Sequence, residues 1–313
     1  MKKAIFFLML ACSAGAQAQL VKNGTQWYDG GINYSATVKA NGSVLMEAMA
    51  EGEELQFGMN PISDLPNQYL VHKDAEFEWT SIPEGALMKV QQQDGITAIS
   101  QYCTDRNGVQ NVFLKTTKDC EVLNIEKMKA LIIGTYTRND GKRVLIGNDF
   151  IGVGSEEGTY EVMTFNGMAL NIIKLSGING AKYWQMVPTL KGFNLYAGDF
   201  DEYGMFTQGR RIGSLIESDP GVGRFYATEQ AVLNGNILSI FRKETLRLMR
   251  NEIMARHGYV FQTQDLKDYF SREPWYKPGT DNSSIKLSFI EQLNLDLIVG
   301  EENRAERDAV QEE

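Results

Sequence analysis

The chain is poor in cysteine, histidine and proline, with three, two and seven residues among 313. Its histidines, His72 and His257, lie far apart with no cysteine beside either, so no cluster supplies the three or four ligands of a zinc site. So few prolines, with 30 glycines, exclude a low-complexity or collagen-like chain. Positive charge is also short. Against 40 Asp and Glu stand 31 Lys and Arg, a net charge of −9, so no basic surplus releases counterions from nucleic acid and no such partner is expected. Beyond the first residues no long apolar run occurs, and no transmembrane helix is expected in the mature chain. Neither a G-x-S-x-G elbow nor a G-x-x-x-x-G-K-[ST] loop is present. No catalytic residue and no cofactor are therefore expected. What is present is ordinary globular material, 43% hydrophobic and 23% charged, long enough for two or three domains.

Residues 1–18 have the pattern of an export signal. Lys2 and Lys3 give a positive start, 4–11 is an apolar run too short to span a bilayer, and Ala16-Gln17-Ala18 is a small-x-small cleavage site. Cleavage after Ala18 is expected, with a periplasmic or extracellular destination in a bacterium. Lipid attachment at Cys12 is the alternative, although Met9 and Leu10 do not suit an anchor site and only Ala11 does. Export leaves Cys103 and Cys120, which in an oxidising compartment are most simply one disulfide. They flank Asn107-Gly108, a hairpin signal. The closed loop of about 17 residues is worth ~3 kcal/mol on the chain-entropy model. The pair lacks the Cys-x-x-Cys spacing and any visible helix N-terminus of a redox couple.

The predicted fold is multidomain α+β: an antiparallel β-region, sandwich or barrel-like, followed by a small all-α domain. Across 19–127, short alternating segments at 32–39, 43–50, 54–59, 69–72, 76–79, 86–92, 96–103 and 109–116 read as strands between turn signals. A second β-domain, 128–222, has expected strands at 131–137, 142–146, 160–165, 169–175, 182–187, 193–197, 204–208 and 212–216. Its hairpin turns are Asp140-Gly141, Asn166-Gly167 and Asn179-Gly180. Such a meander can close into a barrel and remove its edges. Residues 125–130 join the two regions, or form a helical turn within one larger β-domain.

After Asp219-Pro220-Gly221 the period becomes helical through 223–303. Leu246, Met249 and Ile253 share a face, Gly258 sits where a left-handed cap belongs, Thr263 can cap a short helix, and Ser288-Phe289-Ile290-Glu291 is a capping box. The tail 304–313, acidic and nearly without apolar residues, is expected to fray. Within this region Arg250-Asn251-Glu252-Ile253-Met254-Ala255-Arg256-His257-Gly258-Tyr259 resembles the signature of the YARHG domain. The resemblance continues through Phe261, Leu266, Tyr269-Phe270, Trp275-Tyr276 and Pro278, about a quarter of the chain. Met254 takes the place of the tyrosine that begins the signature, so no role of that hydroxyl is available. The resemblance implies an extracytoplasmic bacterial domain and supplies no reaction.

Two readings of these residues stand side by side. In the structural one, Glu252 and Arg256 form an i, i+4 pair worth roughly 0.2–0.5 kcal/mol if exposed. Arg256 and His257 then suit the helix C-terminus, Asn251 bonds to the turn after Gly258, and Trp275 and Tyr276 plug a helix cluster. In the functional one, Asn251, Glu252, Arg256, His257, Trp275 and Tyr276 form a face for a carboxylate or sugar.

Elsewhere, Asp199, Asp201 and Glu202 lack the spacing of a calcium loop, and Gly152-Val153-Gly154 reads as a turn. Glu51, Glu53, Glu54, Glu76 and Glu78 have two readings, convergence on one β-face as a glycosidase pair requires or a solvated acidic face. Gly134-Thr135-Tyr136 resembles the opening of lipocalin-like barrels. Tyr183, Trp184, Phe193, Tyr196 and Phe206 would then line a ligand cavity or fill a core. The sequence therefore points to an exported binding protein whose partner is an envelope protein, peptide or glycan. A small apolar ligand carrier and a carboxylate-based hydrolase are the alternatives.

Overall fold

A computed structural model describes residues 19–50, 53–72, 82–103, 108–118, 120–165, 167–217 and 223–311. The export segment with Cys12, the expected strand at 76–79 and the Asp219-Pro220-Gly221 turn lie outside them.

The β-region is two closed eight-stranded antiparallel barrels, each an up-and-down meander. The first contains β1 (Gln26–Tyr28), β2 (Asn33–Val38), β3 (Val44–Ala50), β4 (Glu53–Pro61), β5 (Gln68–His72), β6 (Leu87–Gln93), β7 (Ile96–Cys103) and β8 (Gly108–Lys115). It closes where Trp27 pairs with Lys115 and Tyr28 with Leu114. The second contains β9 (Gly134–Arg138), β10 (Arg143–Ile146), β11 (Ile151–Val153), β12 (Glu156–Phe165), β13 (Met168–Ser176), β14 (Tyr183–Thr189), β15 (Gly192–Phe200) and β16 (Phe206–Glu217). It closes through Leu215–Arg138, Ile216–Thr137 and Glu217–Tyr136. The two strands expected at 204–208 and 212–216 are one long strand, β16, bent by irregularities in its pairing with β15. β1 and β11, three residues each, are too short to show a period of two.

Eight strands leave an interior that side chains can just fill, and both interiors are filled. Trp27, Tyr34, Met46, Met59 and Phe113 are buried in the first, where Tyr34 meets Phe57 and Phe113 edge-on at 5.5 and 5.7 Å. Such a side chain contributes roughly 1.5–3 kcal/mol by leaving water. In the second, Val144, Ile146, Trp184, Met186 and Phe193 belong to the core. Of the five aromatics considered for a cavity lining, Tyr183, Trp184 and Phe193 are buried, and Trp184 and Phe193 belong to this core cluster. Tyr183 and Phe206 instead brace Phe200, each with ring centroids 5.1 Å away, and Tyr196 is half-buried.

The barrels are joined by α1 (Cys120–Ile132), a full helix that includes the stretch 125–130 expected as a join or a helical turn, and Cys120 opens it. The expected disulfide is not shown. Cys103 pairs with Gly108 at the turn end of the β7–β8 hairpin, whereas Cys120 follows the opposite end of β8. The turn therefore brings Gly108, not Cys120, beside Cys103. Cys103 Sγ lies 2.7 Å from Gln110 Oε1, and the Cys120 side chain lies outside the described residues.

The remainder is helical: α2 (Ala227–Gln230), α3 (Gly235–Leu238), α4 (Lys243–Arg256), α5 (Gln264–Phe270) and α6 (Phe289–Gln311). Leu246, Met249 and Ile253 of α4 are fully buried on one face. The helix α6 packs on α4 and on β8 of the first barrel. Its close approach to β8 needs Gly300, where a Cβ would sit 1.9 Å from the Val109 carbonyl oxygen. The tail expected to fray instead continues α6 to Gln311. Arg304 pairs with Glu301 one turn back, and Arg250 of α4 pairs with Glu302 at 2.6 Å.

Candidate functional site

Gly258 has φ +76°. Its N–H donates to Ala255 O at 2.9 Å and the Tyr259 N–H to Met254 O at 3.1 Å, which is a Schellman ending for α4. At the other boundary the Ser288–Glu291 capping box is reciprocal. The Ser288 N–H donates to Glu291 Oε2 at 2.8 Å, and the Glu291 N–H to Ser288 Oγ at 3.3 Å. Thr263 stands at the N-cap of α5, but its side chain makes no capping bond.

The six candidate residues do not converge on one face. Asn251 does not reach the turn after Gly258; its Nδ2 donates to Arg247 O at 2.7 Å, back along its own helix. Glu252 and Arg256 are not a surface pair: their side chains are 3% and 5% exposed, with Arg256 Nη1 donating to Glu252 Oε1 at 2.8 Å. Arg256 Nη2 donates to Thr228 Oγ1 at 2.5 Å, and its Nε lies 2.5 Å from Glu229 Oε1, an ion pair by distance. Glu252 also accepts the backbone N–H groups of Arg224 and Phe225, at 2.9 and 2.5 Å. The pair thus pins the segment entering the helical unit against α4. Burial pushes the Glu252 carboxyl up to about 7, opposed by Arg256 and the two N–H donors.

His257 stands apart from that pair, its Nε2 2.7 Å from Glu291 Oε1. Burial opposes ionisation of Glu291, but the His257 and Ser288 hydrogen bonds hold it below the usual glutamate value. Trp275 and Tyr276, both half-buried, belong to an aromatic group in which Phe261 stacks on Phe270 at 4.7 Å. Tyr276 Oη donates to Tyr259 O at 2.7 Å. Trp275 Nε1 is buried without a hydrogen-bond partner among the described residues.

Residues invisible to sequence reasoning join this unit to both barrels. Asn124, on α1, accepts Tyr28 Oη of β1 at 2.5 Å and Asn234 Nδ2 at 3.3 Å, and donates to Gly167 O in the β12–β13 turn at 2.8 Å. Lys127 lies over the Tyr28 ring, 4.7 Å from its centroid. Asn234 caps α3 by accepting the Ile237 N–H at 2.9 Å. It lies so close to Gly30 that a Cβ there would be 2.5 Å from the Asn234 Cβ. Asn294 of α6, fully buried, is satisfied by Leu233 N at 2.7 Å and by the Thr228 and Ala231 carbonyls at 2.8 Å each. A second junction lies at the end of the other barrel. There Arg224 Nη2 donates to Gly192 O at 2.9 Å, and burial pushes Glu217 up to about 7, with Arg224 opposing and Glu252 and Glu273 adding.

Other candidates are local. Asp201 Oδ1 accepts the N–H groups of Tyr203 and Met205 at 2.9 and 2.8 Å, which is the chemistry of a turn beside Asp199 and Glu202. Gly154 turns β11 into β12 with φ +63°. Among the suggested carboxylates, Glu54 is exposed on β4. Glu51, Glu76, Glu78 and the Glu53 side chain lie outside the described residues.

Residues 226–303 match the model of the YARHG domain. The match covers the C-terminal quarter, all of α2 to α5 and most of α6. No curated protein and no solved structure matches the chain.

Proposed function

We propose that this is an exported bacterial envelope protein that acts by binding a macromolecular partner rather than by catalysis. The observation that carries the reading is how the charged signature residues are used. Arg256 and Glu252 secure the YARHG unit's own entry segment, His257 meets Glu291, and the neighbouring asparagines tie that unit to both barrels. Such bonds suit a rigid scaffold that presents an outer surface. The YARHG match and the pattern of residues 1–18 support a periplasmic or extracellular location. The small-ligand carrier has closed barrels in its favour, but the aromatic and aliphatic packing of their interiors supports a solid core.

The test is mass spectrometry of the full chain recovered from fractionated cells. A soluble species beginning at Gln19 in the periplasmic or secreted fraction is expected; an unprocessed chain in the cytoplasm would overturn the exported reading. A diacylglyceryl group on Cys12 would replace a soluble protein with an anchored one. Native mass spectrometry of the same sample is expected to give the bare polypeptide mass, and a stoichiometric co-purified small molecule would favour the carrier.

A further inference from the structure

The second barrel is closed by three residue pairs only, β16 residues 215–217 on β9 residues 136–138. β16 begins much earlier, at Phe206. Phe206, Thr207, Gln208 and Arg211 pair with β15 on one side, across two irregularities of register, and on the other side no strand pairs with residues 206–212 among the described residues. Asn139 ends this open stretch, its N–H donating to Ser214 O at 3.1 Å and its Oδ1 accepting the Ser214 N–H at 3.2 Å. Residues 207–211 are exposed, so this part of the hairpin stands out from the barrel with a row of backbone donors and acceptors facing water.

A two-stranded ribbon in water is marginal by itself. This one is braced by Tyr183 on Phe200 and Phe200 on Phe206, so its edge is held in shape before any partner arrives. Its tip carries Tyr203 and Met205, 78% and 54% exposed. Arg210 and Arg211 lie on the edge. Arg211 Nη2 reaches Asn194 Oδ1 at 2.7 Å, and Arg210 has no ion-pair partner among the described residues.

An open edge is a template for another strand. Adjacent arginines on it repel an identical edge, which disfavours a second copy of this chain. They favour a strand bearing carboxylates, because like charges opposed across strands destabilise and opposite charges stabilise. We infer that residues 206–212 of β16 bind an extended, acidic peptide segment of a partner protein by strand addition, with Arg210 and Arg211 selecting its charge. This names a partner class for the binding role proposed above and rests on it.

The test uses the full mature chain and four fluorescein-labelled ten-residue peptides: Val alternating with Glu, Val alternating with Lys, and two Val–Glu peptides N-methylated at every second backbone nitrogen. Both registers of methylation are made, because only one edge of the added strand faces β16. Fluorescence anisotropy should show the acidic peptide binding, with the basic one and one methylated register about tenfold or more weaker. The variant Arg210→Glu/Arg211→Glu, changed only at exposed positions, should reverse the charge preference and keep the wild-type melting curve. The proposal is overturned if the acidic peptide does not bind, if both methylated registers bind as well as the parent, or if charge reversal leaves the preference unchanged. Dimerisation of the wild-type chain that the double variant abolishes would also overturn it, in favour of self-pairing. A correctly exported, folded chain that binds no peptide rejects this edge as the site while leaving the broader role standing.

Discussion

Replacing Arg256 with Met removes the charge from the most enclosed ion pair of the helical unit and keeps much of the side-chain volume. Breaking a buried pair from one side costs about 3–5 kcal/mol, because the partner charge is left in a poor solvent. Glu252 has an escape. It retains the N–H groups of Arg224 and Phe225, and it can take up a proton. An unfolded glutamate titrates near 4.3, whereas folded Glu252 is pushed up to about 7. Between those values the folded state binds more protons than the unfolded one. The contribution of Glu252 to stability is therefore fully present below about 4.3 and is lost as pH rises toward 7. Without Arg256 the folded value rises further, so the loss extends to higher pH. Arg256→Met should lose most of the 3–5 kcal/mol at pH 8. At pH 5 the loss should be about 1–2 kcal/mol, from the broken contacts to Thr228 and Glu229. Urea melts at the two pH values, followed by tryptophan fluorescence, measure this. The double variant Arg256→Met/Glu252→Gln should recover much of the loss at pH 8, since no charge is left behind. An Arg256→Met curve lying on the wild-type curve at pH 8, or a loss equally large at pH 5, refutes the reasoning.

Three further outcomes follow from the junctions and the cap. Asn124→Ala deprives Tyr28 Oη and Gly167 O of a shared partner and should cost about 2–4 kcal/mol; calorimetry should show the single transition of the wild type dividing in two. Gly300→Ala drives a methyl into the Val109 carbonyl and should cost roughly 1–3 kcal/mol. Amide exchange should then rise in α6 and β8 and stay unchanged in β10 to β13. Gly258→Ala puts a Cβ at φ +76°, 3.0 Å from Lys277 O, and should lower stability by about 1–2 kcal/mol. Unchanged melting of that variant would mean that α4 does not end in a left-handed residue.

The parts of the fold legible in the sequence are those set by local chemistry. The span expected at 96–103 coincides with β7, Gly258 takes its left-handed place, and Ser288 and Glu291 cap α6 as their spacing predicts. The helix α1 was hidden because its buried face carries Asn124 and Lys127 beside Met128 and Ile132. A stripe of apolar residues with two polar members does not register as a helical period. Arg256 and Glu252 were legible as an i, i+4 pair, but their burial depends on residues 224–229 folding over them, and no local spacing encodes that. The disulfide expectation turns on register: the hairpin sets Cys103 opposite Gly108, and a turn signal identifies which residues face one another only when its position relative to both cysteines is known.

The seating of α6 on β8 has a consequence for the order in which the chain takes shape. Val109 and Val112 are buried on strand β8, on the face against which the last helix lies. Apart from the seam of β1 on β8, each strand of the first barrel pairs with its neighbour in sequence, and every strand it needs lies within residues 26–115, so the first barrel can form while its own residues are the only ones present. Its outer wall along β8 stays bare until residues near Gly300 are made, more than half the length of the chain later. During synthesis this wall is an adhesive surface awaiting its cover, and any break in the chain before α6 leaves it so permanently. A product ending after the second barrel would therefore combine two well-formed barrels with a strong tendency to aggregate.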